Sequence, residues 1–203
     1  MAAGHMPSPI AIADPYGLQR ALRGSPFTNP TTGNIMAFDP MEQRRIMGHF
    51  ATGVTIVTTH YKGELHGMTA NAVTSLSLEP PLVLVSVDCQ ANMNTCLKAS
   101  ECFAVNILTE DQEDLSTRFA KRGPKDFSDI DHRTAITGSP VFNKALAYVD
   151  CKVVHILPGG DHDLFIGEII AGDTAEGRPL MFYNGKYGRI EDSPQQATEP
   201  PFA

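Results

Sequence analysis

Short apolar runs, rich in β-branched residues, recur along most of the chain and predict a protein built mainly of strands. Residues 54–71 hold two such runs around a turn at 61–64, which is the pattern of a β-hairpin. Residues 82–87 form a continuous apolar run and predict a buried strand. Further strands are predicted at 103–108, 147–157, 164–171 and 180–190. We expect the last of these to close the sheet.

Short helices are predicted between the strands. The order Asp-Pro-Met-Glu at 39–42 combines a capping-box spacing with a proline at the first helical position. Asn92 or Asn94 is expected to cap a second helix that reaches Ala99. Residues 111–114 are mostly acidic, which suits the start of a third helix. The chain is therefore predicted to be a mainly β barrel with short peripheral helices.

All of these elements fall within residues 38–192, which we interpret as one domain. A length of 203 residues with 42% hydrophobic content suits a single core rather than two. Residues 1–37 show little periodicity and are interpreted as a flexible N-terminal arm, and residues 193–203 as a C-terminal tail. Residues 121–140 are polar and broken by glycine and proline, so they predict a long surface excursion.

The charge balance limits the classes of partner. Sixteen Lys and Arg against 23 Asp and Glu give a net charge of -7 and a pI near 5.4. Nucleic acid and anionic membrane surfaces are therefore not expected partners, and an anionic ligand must be held by local donors. No apolar run approaches the roughly 18 residues that span a bilayer, and the first residues lack a secretory-signal pattern. We expect a cytoplasmic protein.

The sequence lacks the common metal and nucleotide motifs. The four cysteines show no C-x-x-C spacing and no accompanying histidine pair, so no metal site is predicted and reduced thiols are expected. Neither G-x-G-x-x-G nor G-x-x-x-x-G-K-[ST] occurs. Any nucleotide cofactor must therefore be bound by another fold.

Short hydrogen-bonding side chains are concentrated in residues 67–78, just before the double proline at 80–81. They are expected to form a polar loop held against the buried strand that follows. Such an arrangement suits a ligand with many polar atoms and a phosphate, because each lone pair needs a fixed partner. Taken from the residues alone, a Thr- and Ser-rich strand face explains the same run.

Five stretches of the chain carry a resemblance to a known family. They are residues 50–59, residues 67–87, residues 103–108 with Leu115-Ser116 and Phe119-Ala120, residues 160–162 leading to Gly167-Glu168, and residues 179–187. Together they span roughly residues 40–190 and resemble the short-chain flavin reductases, the reductase components of two-component flavin monooxygenases. The resemblance implies the FMN-binding split barrel as the fold.

The resemblance also implies an activity, which is hydride transfer from NADH or NADPH to FMN or FAD. The reduced flavin would be supplied to a separate monooxygenase component, and the reductase would be a homodimer. The alternative is a non-catalytic, flavin-binding electron carrier on the same fold. Gly160-Asp161-His162 favours the reductase, because a carrier has no need of a histidine that faces the nicotinamide. The flavin, the nicotinamide and the partner's substrate are left open.

The resemblance assigns roles to individual residues. His162 is the predicted catalytic residue, which would orient the nicotinamide; from the residues alone it is a surface residue after a Gly-rich turn. The predicted cofactor-binding residues are Thr69, Ala70, Asn71, Ala72, Thr74, Ser75, Ser86, Val87, Asn92, Asn94, Thr95 and Tyr187. Asn94 and Thr95 would contact the flavin phosphate at a helix start, although a simple helix cap explains them equally. Ala72 and Asn94 stand where the family commonly has serine.

Overall fold

The computed structural model describes residues 38–191, so the predicted arm and tail lie outside the described residues. Within residues 40–191 the helices are α1 (Pro40–Met47), α2 (Asn92–Ser100) and α3 (Glu113–Ala120). The strands are β1 (Thr52–Gly53), β2 (Thr55–Tyr61), β3 (Glu64–Ala70), β4 (Val73–Leu78), β5 (Pro81–Asp88), β6 (Cys102–Ile107), β7 (His132–Thr134), β8 (Pro140–Phe142), β9 (Ala147–Gly159), β10 (His162–Thr174), β11 (Met181–Tyr183) and β12 (Lys186–Gly188). The predicted mainly β architecture is confirmed.

A curled antiparallel sheet forms the body of the domain, with strand order β3-β2-β6-β9-β10-β5-β4. Its two edge strands, β3 and β4, follow one another in the chain and are joined only by Asn71 and Ala72. Because so short a link joins opposite edges, the sheet must curve until the edges approach each other. Within residues 38–191 no ladder pairs β3 with β4, so the barrel is split along that line.

The C-terminal strands do not close this sheet, and that part of the sequence prediction is wrong. β11 pairs with β1 and with β12 in a separate small sheet, in which Phe182 lies opposite both Thr52 and Tyr187. Asn184 and Gly185, both with positive φ, turn the chain between β11 and β12. The resulting hairpin arms are only three residues long.

The hairpin of β9 and β10 is longer and tighter than the sequence predicts. Each strand has 13 residues, and only Gly160 and Asp161 connect them. Gly160 adopts a φ of 77°, a left-handed conformation that glycine enters without steric cost. Two register shifts in the ladder, at 166–167 and 169–171, bend the pair. The tight turn fixes where His162 stands at the start of β10.

The core consists of two apolar clusters, and β2 contributes to both. Successive side chains of a strand point to opposite faces, so Val57 belongs to one cluster and Ile56 to the other. The first cluster lies inside the curled sheet around Phe103 and Phe165, and the second packs α3 and residues 127–145 against β2. Burial on both faces explains why β2 is an almost continuous apolar and threonine run.

Candidate functional site

A cleft of about 960 Å³ lies over β3, between the start of α2 and the end of α3. This volume lies within the range of small-molecule and cofactor sites, roughly 300–1,000 Å³. The lining residues are 64–69 of β3, Asp88, residues 90–93, residues 119–125 and Phe127. Gly67 allows α3 to pack closely on β3, because a Cβ there would lie 2.6 Å from the ring of Phe119. Thr69 and Asn92 are the predicted cofactor residues that line this cleft.

The start of α2 forms one wall of the cleft, and its cap differs from the prediction. Ala91, not Asn92 or Asn94, occupies the N-cap position, and no side chain caps the helix. Asn92 is the first helical residue and is exposed. The Asn94 N–H donates to the Ala91 carbonyl at 3.0 Å, whereas the N–H groups of Asn92 and Met93 receive no side-chain cap. They form a donor set for an anion in the cleft.

The Asn94 side chain is held by the protein itself rather than presented to the cleft. It is 2% exposed, and its Nδ2 donates to Asp163 Oδ2 at 2.9 Å and to the Val87 carbonyl at 3.3 Å. Lys98 Nζ donates to the same carboxylate oxygen at 2.7 Å. Lys98 and Asn94 together hold the pKa of Asp163 below its ordinary value. The predicted phosphate contact of the Asn94 side chain is therefore not supported.

The polar run at 69–75 is not a loop. β3 continues to Ala70 and β4 begins at Val73, so the exposed residues Asn71 and Ala72 alone leave the sheet. The edge position of β4 explains the difference, because most of its side chains are exposed and Thr and Ser are compatible with an exposed strand. Thr74 and Ser75 lie exposed on β4. The Ser86 N–H donates to the Ala72 carbonyl at 3.0 Å, which ties the link to β5.

A second, smaller pocket of about 150 Å³ gathers other predicted residues. Its lining includes Thr69, Ala70, Asn71 and Tyr187. The Tyr187 hydroxyl lies 2.9 Å from Ser116 Oγ, and Thr69 Oγ1 donates to the Ser116 carbonyl at 2.6 Å. Ser116 of α3 thus joins β3 to β12.

The outer face of the sheet holds a third group of predicted residues. Directly opposed residues in antiparallel strands project to the same face, which places Thr74 with Leu84, and Ser86 with Leu164. The alternate residues of β5 face inward, and Val87 is wholly buried in the first core cluster. The Val87 side chain therefore packs in the core and has no free surface for a ligand. Thr95 is exposed on α2 and lines neither pocket.

His162 stands on that outer face, beside the wall of the cleft. It lies opposite Asp88, which lines the cleft, and the Cys89 N–H donates to the Asp161 carbonyl at 3.0 Å. His162 Nδ1 lies 2.7 Å from Asp161 Oδ1, and the imidazole lowers the pKa of that carboxyl. The histidine does not line the cleft itself, but it shares one end of the β5–β10 pair with the start of α2.

Sequence reasoning missed several residues at this site. Lys121, Arg122 and Lys125 line the cleft, and three cations within five residues of an acidic chain were the available signal. Asp163 was missed because its partners come from α2, far away in the chain. Ser116 enters the sequence prediction only within the family resemblance. Its contacts with β3 and β12 join distant parts of the chain and leave no pattern in the neighbouring residues.

Residues 38–191 show neither a cluster of metal ligands nor a membrane-spanning helix. Between residues 38 and 191 no three His, Cys, Asp or Glu side chains come together in a way that could hold a metal ion. The four cysteines are free thiols, and burial raises the pKa of Cys151 to about 12. None of the helices described in that range has the length and apolar character needed to cross a membrane.

Comparison with known proteins agrees with this geometry. Residues 47–191 match the family described as flavin reductase like domain. The reductase component of a 4-nitrophenol 4-monooxygenase/4-nitrocatechol 2-monooxygenase from Rhodococcus opacus is 39% identical over 165 residues, which is 80% of this chain and 88% of that protein. The solved structure of the flavin reductase PheA2 is 44% identical, with a TM-score of 0.72 over 76% of this chain and 100% of that one.

A second solved structure contains ligands. It is the NADH:FAD oxidoreductase SgcE6 of Streptomyces globisporus in complex with NAD and FAD fragments, 35% identical, with a TM-score of 0.73 over 78% of this chain and 99% of that one. The resemblance inferred from the five sequence stretches and the predicted split-barrel fold are thereby confirmed. The chain belongs to the flavin reductase like domain family.

Proposed function

We propose that this protein is an NADH-dependent flavin reductase that passes reduced flavin to a separate monooxygenase component. The observation that carries the proposal is the meeting of two features at one end of the β5–β10 pair. His162 stands opposite Asp88, and the chain continues from Asp88 into the uncapped start of α2. A flavin phosphate bound at α2 would thus place the rest of the cofactor within reach of the histidine.

The residues of the cleft fit a flavin. Backbone N–H groups at Asn92 and Met93 would hold a phosphate, because the start of a helix carries unpaired donors and a partial positive charge. The Asn92 amide and the Thr69 hydroxyl line the same cleft and would serve polar atoms of the sugar chain or ring. A bound flavin supplies the N5 atom that accepts the hydride. The other predicted cofactor residues outside the core stay a prediction.

His162 would position the nicotinamide. Hydride transfer needs no side-chain nucleophile, but it needs the two rings stacked with the reacting atoms about 3–3.5 Å apart. The bond between Nδ1 and Asp161 restrains the ring and leaves Nε2 to meet the nicotinamide carboxamide. Relatives named as NADH-dependent reductases support NADH as the donor.

We further propose a homodimer. Leu84 and Leu164 lie half-buried on the outer face of β5 and β10, and within the described residues they belong to neither core cluster. A second copy would cover this face and enclose the cofactor beside His162. Relatives that are named reductase components support a separate monooxygenase partner, and four free thiols support a cytoplasmic location.

The test is aerobic NADH consumption with FMN or FAD, comparing the parent with His162→Ala and with His49→Ala as control. His49 is exposed and lines neither pocket. We expect His162→Ala to lower turnover on the order of 100-fold through lost positioning. Flavin affinity should change by less than about tenfold, or about 1.4 kcal/mol. Flavin binding without NADH consumption by the parent would instead establish the electron carrier, and unchanged kinetics in His162→Ala would make His162 a turn residue.

A further inference from the structure

The end of α3 brings three cationic side chains to the cleft, Lys121, Arg122 and Lys125, which we call the basic rim. Lys121 and Arg122 are exposed, and Lys125 is half-buried with its Nζ donating to the Lys121 carbonyl. Within residues 38–191 none of the three forms an ion pair with a carboxylate. These cations are therefore available to a ligand.

The local charge contrasts with that of the whole chain. The protein has a net charge of -7, and the nearest acids along the chain are engaged elsewhere. Asp126 accepts the Ser128 N–H, and Asp129 forms an ion pair with Arg118. Glu64 and Asp88 also line the cleft, so the three cations outnumber two acids there. A cationic rim in an acidic protein favours an anion at this position over anions elsewhere on the surface.

The cleft therefore has two separate donor sets for anions. One is the uncapped start of α2, and the other is the basic rim at the end of α3. FMN carries one phosphate and can use only one of them. A dinucleotide carries a second phosphate followed by adenosine, and a cleft of about 960 Å³ has room for more than a flavin mononucleotide.

We propose that the basic rim binds the phosphate on the adenosine side of a dinucleotide that lies in the cleft. This inference rests on the proposed function and deepens it, since it names the cofactor phosphate that the basic rim recognises. Two dinucleotides share this chemistry, FAD and NADH. If the rim serves FAD, the protein prefers FAD to FMN; if it serves NADH, the rim sets the apparent affinity for the hydride donor.

The experiment compares Lys121→Ala/Arg122→Ala with a matched control, Lys144→Ala/Lys152→Ala. Both double variants change the net charge by the same amount, and Lys144 and Lys152 are exposed and lie outside the cleft. Binding of FMN and FAD is followed by quenching of flavin fluorescence, and NADH by the KM of flavin reduction. We expect the rim variant to weaken FAD, or to raise the KM for NADH, at least tenfold. FMN affinity should change less than threefold, which also shows that the variant is folded.

The outcomes distinguish FAD from NADH as the ligand of the basic rim, and failure of this inference from failure of the proposed function. A loss for FAD alone assigns the rim to the flavin, and a loss for NADH alone assigns it to the nicotinamide dinucleotide. The effect should shrink at high salt, because charges at an exposed rim are screened over about 10 Å at 0.1 M. Parent-like affinities, an equal loss for FMN, or an equal loss in the control overturn the inference. A parent protein that binds neither flavin refutes the proposed function instead.

Discussion

Asp163 holds the start of β10 against α2, and its replacement by asparagine is expected to destabilise the protein measurably. The Asp163 side chain is 14% exposed, and Oδ2 accepts bonds from Asn94, Lys98 and the Cys89 thiol. Asparagine keeps the shape of the side chain but removes the charge. The change therefore tests the electrostatic bonds with little effect on packing.

The magnitude follows from the burial of the partners. The Asn94 amide is almost wholly buried, and a hydrogen bond to a charged group contributes about 1.5–3 kcal/mol. Lys98 is 48% exposed, so its ion pair adds no more than about 1 kcal/mol. The asparagine oxygen still accepts a neutral hydrogen bond, worth about 0.5–1.5 kcal/mol, so we expect Asp163→Asn to lower the free energy of unfolding by about 1–2 kcal/mol at pH 7. Asp173→Asn, at the exposed far end of β10, should stay within about 0.5 kcal/mol of the parent.

Urea denaturation of the three proteins at pH 7 and at lower pH is the measurement. The folded state lowers the pKa of Asp163, so the ionised carboxylate stabilises the protein. That contribution is complete above the unfolded pKa of about 4 and is lost as the pH falls through the lower folded pKa. The gap between parent and Asp163→Asn should therefore narrow below about pH 4. Equal midpoints at pH 7, or a gap that does not depend on pH, would refute the reasoning.

Other expectations follow from packing and assembly. Gly167→Ala should lower the free energy of unfolding by about 1–3 kcal/mol, because the new Cβ would lie 2.5 Å from the Phe103 ring. In Gly188→Ala no atom lies within 4 Å of the new Cβ, so thermal denaturation of this variant should match that of the parent. A similar loss of stability in both glycine variants would contradict the packing argument. Tyr187→Phe removes the bond to Ser116 and should cost about 0.5–1.5 kcal/mol, which an unchanged melting temperature would disprove. Light scattering should give twice the chain mass of 22.0 kDa, and a monomer that still reduces flavin would refute the homodimer.

Local patterns predicted most of the strands correctly. The hairpin around residues 61–64 and the apolar strand at 82–87 could be recognised because alternation, β-branching and turn residues are properties of neighbouring positions. The small sheet of β1, β11 and β12 could not, because its pairing joins residues at opposite ends of the domain. For the polar run at 69–75 the strand-face alternative is confirmed and the loop is wrong; the residues alone left both open because threonine and serine occur in loops and on strand faces.

The site was predictable only in part, for the same physical reason. Asparagine is a common helix-capping residue, but Ala91 occupies the cap position of α2. The Asn94 side chain instead donates to the carboxylate of Asp163, which is distant in the chain. Tertiary contacts of this kind override local propensity. The role of His162 stays a prediction from a motif, and the structure shows the bond of this histidine to Asp161 and its place beside the cleft.

The two-residue link between the edge strands constrains the order in which the chain folds. The β2–β3 and β4–β5 hairpins are local and can form early, but β6, β9 and β10, which come later in the chain, must fill the space between them. During synthesis β2 can pair with β6 as soon as β6 has emerged, but the inner edge of β5 stays unpaired until β10 has emerged. The cleft is complete only after that step, so flavin binds the finished barrel and, by mass action, stabilises it over partly folded chains.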